Sequence, residues 1–379
     1  FSKYALICSL VSILAFLLYG IDTTLDLVSI PRLIEAVNTA KGSSLGKSKW
    51  VTMKDVADLA SVGTITVSRV LRTPEKVSEA KRNRVQKAIE QLGYVPDNTA
   101  GALSSNKSRV FGAIVSTVND SVFAQTLDGL SSTLRAAGYE LLLTSTNYDP
   151  AVEEDALRAL LARRPDGIVL TSTSHSSGVK NLLKSVNIPV VEIWQLPSQP
   201  LDIAVGFSNF QAGYDMARHL IGKGKKNIAF IGGNEPGNDR GRRRRDGYIA
   251  ALADAKLPPI IWPSEDQDLP SGIELGAAVF EGCLKVNPAI NAVMCVSDQV
   301  AVGVICEAKR RGVEVPGGLI VSGFGGFELA MSSGFDLTTI EIPGREIGVA
   351  SAKALLDPEA ARAKKVIDVG YTLIERGTT

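Results

Sequence analysis

Between residues 64 and 69 the chain reads Thr-Ile-Thr-Val-Ser-Arg, and a helix through it would turn Thr64, Ile65, Ser68 and Arg69 outward. Those side chains suit the reading of base edges. A guanidinium can donate two hydrogen bonds to O6 and N7 of guanine, and isoleucine can meet a thymine methyl. Lys54, Arg72, Lys76, Lys81, Arg82, Arg84 and Lys87 surround the run. They can reach phosphates, which fixes orientation and not sequence. Other chemistries find little support. The two histidines, His175 and His219, have no partner at metal-ligand spacing, so no metal is expected. Cys8, Cys283, Cys295 and Cys306 form no C-x-x-C pair, which points to a reduced, cytoplasmic setting. There is no P-loop. "GFGGFE" lacks the following helix and downstream acid of a dinucleotide fingerprint. Neither an enzyme nor a cofactor is expected.

The elements that would hold the 64–69 run are short helices. Val56, Leu59 and Ala60 make one apolar face, Gly63 breaks the chain, and Val67, Val70 and Leu71 make a second. Ser78 is placed to cap a third helix, in which Val85, Ile89 and Leu92 recur at helical spacing and which Gly93 ends. Two helices joined by a glycine-containing turn, with a third behind them, match a helix-turn-helix, whose second helix enters the major groove. The competing reading is a solvated three-helix bundle with ordinary surface charge.

From Val110 the pattern changes. "VFGAIVS", "YELLLTS", "GIVLT", "PVVEIW", "NIAFIGG", "NAVMCVS" and "LIVSGF" read as buried parallel strands. Between them lie helical stretches such as "FAQTLDGLSSTLRAAG", "YDMARHLIGKG" and "QVAVGVICEAKRRG". This alternation predicts an α/β body, long enough for two lobes around a cleft. The 379 residues are 45% hydrophobic and 21% charged, ample for a buried core. The net charge of +1 gives no global pull toward nucleic acid, so any DNA site depends on local placement. Residues 1–49 stand apart. The stretch from Ala5 to Ile21 is apolar, at the short limit for a membrane span, and a polar Gly/Ser/Lys linker follows.

Residues 51–108 resemble the headpiece of the lactose-repressor (LacI/GalR) family, through D-V-A, T-V-S-R-V-L, V-S and L-G-Y-x-P elements in register. The resemblance implies that Thr64 and Ile65 read bases and that Thr66, Ser68 and Arg69 contact phosphates and bases, with Arg69 the main base reader. Where the family usually has Ser or Thr in the turn, this chain has Gly63. "PDNTAGALSSNKS" matches the family's hinge helix. There Leu103 would wedge into the minor groove, with Asn98 and Ala100 beside it. "LDIAVGFSNFQAG", "HLIGKGKKNIAFIGG", "VSDQVAVGV" and "VPGGLIVSGFGGFELA" extend the resemblance to the family's periplasmic-binding-protein-like effector domain. Within the family, "FAQTLDGL", "DGIVLTSTSH" and "IPVVEIW" resemble gluconate-utilisation repressors most.

The fold class expected is therefore α/β. A hydrophobic leader (1–49) precedes an all-α helix-turn-helix headpiece (50–96), a hinge helix (97–108) and a two-lobed body with parallel sheets (109–379). The resemblance places Ser116, Asp120, Phe123, Thr171, Ser172, Glu192, Trp194, Arg244, Ser297 and Asp298 around an effector cleft. Of the arginine run 242–245, Arg244 would face the ligand and the others solvent. Sugar-binding relatives carry an Asp where this chain has Gly325, which argues against a neutral hexose and tolerates an anion. The expected partners are a palindromic operator DNA, a small sugar acid such as gluconate, and a second copy of the chain in a homodimer. The alternative is a membrane-tethered or exported sugar-binding protein, anchored through residues 3–21.

Overall fold

A computed structural model of the chain describes residues 50–96, 107–118, 121–232, 237–262, 272–328, 332 and 334–379. The leader (1–49), the hinge positions Asn98, Ala100 and Leu103, and Asp120 lie outside the described residues. The chain divides into two compact units, Phe1–Asp97 and Asn98–Thr379.

In the first unit, helices α1 (Met53–Leu59), α2 (Thr64–Arg72) and α3 (Glu79–Leu92) surround one small core. Thr52 starts α1 with a capping box. Its hydroxyl accepts from the Asp55 N–H at 3.3 Å, and the Asp55 carboxylate accepts from the Thr52 N–H at 2.8 Å. Gly63 starts α2 without a side-chain cap. Ser78 stands at the N-cap of α3, but its hydroxyl caps nothing; its carbonyl takes the Lys81 and Arg82 N–H groups instead. Gly93, left-handed at φ 62°, ends α3. Val56, Ala57, Ala60, Val67, Val70, Val85, Ala88 and Tyr94 form the core. Leu59, expected inside, is 45% exposed, and its neighbour Ala57 is buried.

The second unit contains two six-stranded sheets. The first runs β2 (Glu140–Ser145), β1 (Val110–Val115), β3 (Ile168–Leu170), β4 (Val190–Ile193), β5 (Ile203–Gly206) and β11 (Val366–Asp368), all parallel. The second runs β7 (Ile260–Trp262), β6 (Ile228–Ile231), β8 (Ala292–Cys295), β9 (Ile320–Gly325), β10 (Thr338–Glu341) and β12 (Thr372–Ile374). Only β12 is antiparallel to its neighbour there. The chain crosses between lobes after β5, after β10 and after β11, so the first lobe joins β1–β5 to the late strand β11, while the second is built from β6–β10 and β12. All seven apolar runs noted above become strands, but β2 is an edge strand and not buried: Leu142 and Leu143 are 37% and 43% exposed.

Three helix pairs cover the sheets: α4 (Ser121–Ala136) with α11 (Gly344–Leu356), α7 (Asn209–Gly222) with α8 (Asp239–Asp254), and α9 (Gly272–Val286) with α10 (Asp298–Arg310). The other helices are α5 (Pro150–Leu161), α6 (Ser177–Ser185) and α12 (Pro358–Lys364). Each pair crosses backbone to backbone on two glycines. In the second pair a Cβ at Gly247 would lie 2.7 Å from the Tyr214 nitrogen, and one at Gly213 would lie 2.8 Å from Arg244 Cα. This close crossing sets where α8 presents its first turns.

Candidate functional site

On α2, Val67 and Val70 point into the headpiece core, which forces the intervening residues outward. Thr64, Ile65 and Arg69 are exposed, and Thr66 and Ser68 are half-buried. Ile65 is 68% exposed. Between residues 50 and 96 there are eight basic against five acidic side chains, in a chain whose net charge is +1. Lys54, Arg72, Lys76, Lys81, Arg84 and Lys87 are exposed on this unit. A polar-tipped helix with an arginine in its last turn, flanked by cations, can bind a polyanion and touch its bases.

The second site lies at the carboxyl ends of the strands, where open α/β sheets bind ligands. Ser116 and Thr171 follow β1 and β3 and are buried. The Thr171 hydroxyl accepts from the Ser116 N–H at 2.7 Å, and the two hydroxyls are 2.9 Å apart. Phe123, Trp194, Phe207 and Phe324 make an aromatic wall, with successive centroids 5.1, 6.1 and 6.0 Å apart. Trp194 holds a left-handed backbone (φ 73°) and donates its indole N–H to Thr126 Oγ1 at 3.1 Å. A bulky residue at positive φ is strained and is often found at functional sites. Gly206 makes the passage beside it possible, since a Cβ there would lie 2.8 Å from the Gln195 nitrogen.

Helix α8 supplies the charges. Arg244 donates from Nε to Asn209 Oδ1 and from Nη1 to the Val296 carbonyl, both at 2.8 Å, with its guanidinium 3.6 Å from the Phe324 centroid. Asn209 in turn donates to the Trp194 carbonyl and Gln195 Oε1, both at 2.7 Å. The arginine therefore belongs to a network that ties both lobes to the crossover after β5. Arg243 is exposed, while Arg242 and Arg245 are half-buried rather than fully solvated.

The residue that the motifs did not single out is Arg240. It is 2% exposed, reaches across from the second lobe, and donates to the Thr171 carbonyl and to Ser116 Oγ, the latter at 3.0 Å. Its guanidinium lies 5.4 Å from the Phe123 centroid. Its neighbour Asp239 accepts from the Thr173 N–H and hydroxyl, both at 2.8 Å and also across the lobes. Burial pushes the Asp239 carboxyl up, but the Arg240 charge and the Thr173 bonds outweigh it and hold it below its ordinary value. Helical spacing was the available signal: Arg240 precedes Arg244 by four residues and so shares its face.

Two expected carboxylates are engaged inside their own lobes. Glu192 accepts from the Leu201 N–H at 2.6 Å and lies 3.5 Å from His175 Nε2. Glu153 binds the other face of that imidazole at 2.9 Å. Burial disfavours the His175 charge, yet the two glutamates raise its pKa to about 9. Asp298 accepts from the Thr339 hydroxyl at 2.6 Å and the Phe327 N–H at 2.5 Å, and burial pushes its carboxyl up. Ser297 caps α10 through the Val300 N–H at 3.4 Å, and Ser172 bonds the Ser174 carbonyl at 3.3 Å. Gly325 has φ 131°, which an Asp there would adopt only under strain. Among the described residues no cluster of His, Cys, Asp or Glu is arranged to hold a metal, and no helix is long and apolar enough to cross a membrane.

Comparison with known proteins agrees with both halves. Residues 52–97 match the model for bacterial regulatory proteins of the lacI family. Residues 108–373 match the one for periplasmic binding proteins and the sugar binding domain of the LacI family. The HTH-type transcriptional regulator GntR of Escherichia coli (strain K12) is 33% identical over 335 residues, 88% of this chain and 99% of its own. IdnR of the same strain, another HTH-type transcriptional regulator, is 30% identical over 86% of this chain and 98% of its own. A solved LacI-family transcriptional regulator from Silicibacter pomeroyi superposes with a TM-score of 0.79 at 30% identity, over 86% of this chain and 99% of that one. The chain therefore belongs to the LacI family of bacterial regulatory proteins, a DNA-binding transcription regulator with a helix-turn-helix headpiece and a periplasmic-binding-protein-like body.

Proposed function

We propose that the protein is a cytoplasmic repressor that binds a palindromic operator as a homodimer and answers to a small sugar acid, gluconate or a close aldonate. The ligand class rests on one observation above all. Arg240 and Arg244, one helical turn apart on α8, bring two guanidiniums to the strand ends beside an aromatic wall. A guanidinium suits a carboxylate, and the Ser116 and Thr171 hydroxyls suit a polyol. The resemblance to gluconate-utilisation repressors and the presence of GntR among the relatives favour the same class. Under this reading Thr64, Ile65, Thr66, Ser68 and Arg69 meet the operator, with Asn98, Ala100 and Leu103 in the minor groove. The exposed apolar edge at Leu142 and Leu143 supports a homodimer, because an uncovered edge strand invites pairing.

The test is fluorescence anisotropy of a palindromic operator duplex with the full chain, titrated with gluconate, its phosphate and glucose. Coupling of effector to operator typically changes affinity by about 5- to 150-fold. Gluconate shifting operator binding within that range while glucose does not is the expected outcome. A response to glucose with none to gluconate would refute the ligand class.

A further inference from the structure

Asp239 and Arg240 together describe more of the ligand than its charge. Asp239 is 5% exposed and bridges the lobes through Oδ2, which takes both Thr173 bonds. Its Oδ1 is buried without a hydrogen-bond partner. Arg240 Nη1 lies 3.7 Å away, too far for a hydrogen bond. Arg240 itself donates to the Thr171 carbonyl and Ser116 Oγ. A buried carboxylate oxygen left unbonded is costly, and at the strand ends of an α/β sheet the group that relieves it is a ligand donor.

We infer that Asp239 reads a hydroxyl adjacent to the group held by Arg240, so that the ligand is an α-hydroxy acid: its carboxylate faces Arg240 and its 2-hydroxyl donates to Asp239 Oδ1. This rests on the sugar-acid reading of the cleft and narrows it. An ionised carboxylate only accepts hydrogen bonds. A 2-oxo acid would set its ketone oxygen against Oδ1, acceptor to acceptor, and leave both without a donor. Arg240 has five N–H donors, enough to serve Ser116, the Thr171 carbonyl and a ligand carboxylate together. The pair thus selects against neutral sugars and against the oxidised acid by two separate contacts.

Calorimetry of the full chain with gluconate, 2-oxogluconate and glucose tests this, on the parent and on the Asp239→Asn and Asp239→Ala variants. The parent should prefer gluconate over 2-oxogluconate by roughly 10- to 100-fold, the scale set by one unpaired buried group. Asp239→Asn can keep Thr173 on its amide oxygen and offer N–H to the ligand, which a hydroxyl oxygen and a ketone oxygen both accept, so the preference for gluconate should be lost. Asp239→Ala should bring the two acids to within about threefold of each other. Retained operator binding and melting temperature identify variants that fold. A parent that binds neither acid sinks the sugar-acid reading and this inference with it. A parent that binds both acids equally, or an Asp239→Asn variant with the parent's preference, overturns this inference alone.

Discussion

The glycine crossing between α7 and α8 makes the sharpest structural prediction. Consider Gly247→Ala. The added Cβ would sit 2.7 Å from the Tyr214 nitrogen and nearer still to the Phe210 carbonyl oxygen, whereas ordinary contact begins at 3.4 Å. Both obstacles are backbone, so no side chain can rotate away. The helices must part by roughly 1 Å. Overpacking of this kind costs about 1–3 kcal/mol, here toward the upper end, while alanine's better helix propensity returns about 1 kcal/mol. A net loss of about 2 kcal/mol should lower the melting temperature by roughly 3–4 °C for a body of this size. Parting the helices also drags Arg244 from Asn209 on α7, so effector affinity should fall with stability. Gly222→Ala is the control: it lies near the end of α7 with nothing within 4 Å of its Cβ. That variant should melt at or slightly above the parent. Scanning calorimetry of the three full-length proteins decides the matter. A Gly247→Ala protein as stable as the parent, with Gly222→Ala unchanged, would refute the backbone crossing.

His175 links stability to pH. Its folded pKa of about 9 exceeds the ordinary 6.5, so its stabilisation is complete below pH 6.5 and is lost as pH rises through about 9. The span corresponds to about 3 kcal/mol. Melting temperatures from pH 6 to 10 should fall over that window in the parent and stay flatter in His175→Gln. Arg69→Ala should cost roughly 1–3 kcal/mol of operator affinity and relax base preference, read by anisotropy against a panel of half-site variants; unchanged preference would remove Arg69 as a base reader. Gly325→Asp should lose about 1–3 kcal/mol of stability from its φ of 131° without gaining affinity for glucose, checked by melting and calorimetry.

Much of this protein was legible in the amino-acid order because the signals are local. The T-V-S-R run, the turn glycine and the spacing of Val67 and Val70 suffice to expose one face of α2, since a three-helix core is built from neighbours in sequence. The seven apolar runs announce strands for the same reason: burial on both faces demands continuous apolar residues. Short or partly polar strands escaped that test, and β2, though apolar, proved to be an exposed edge. The cleft was beyond local reading. Whether a carboxylate faces ligand or core depends on what the fold lays beside it. Glu192 meets His175, and Asp298 meets Thr339, from distant parts of the chain. Arg240 lies outside the arginine run that drew notice, yet it alone of those side chains crosses to Ser116 and Thr171. Its position follows from the α7–α8 glycine crossing and from three passages of the chain between lobes. These are long-range packing relations, and sequence spacing carries them only as glycines whose partners the tertiary structure supplies.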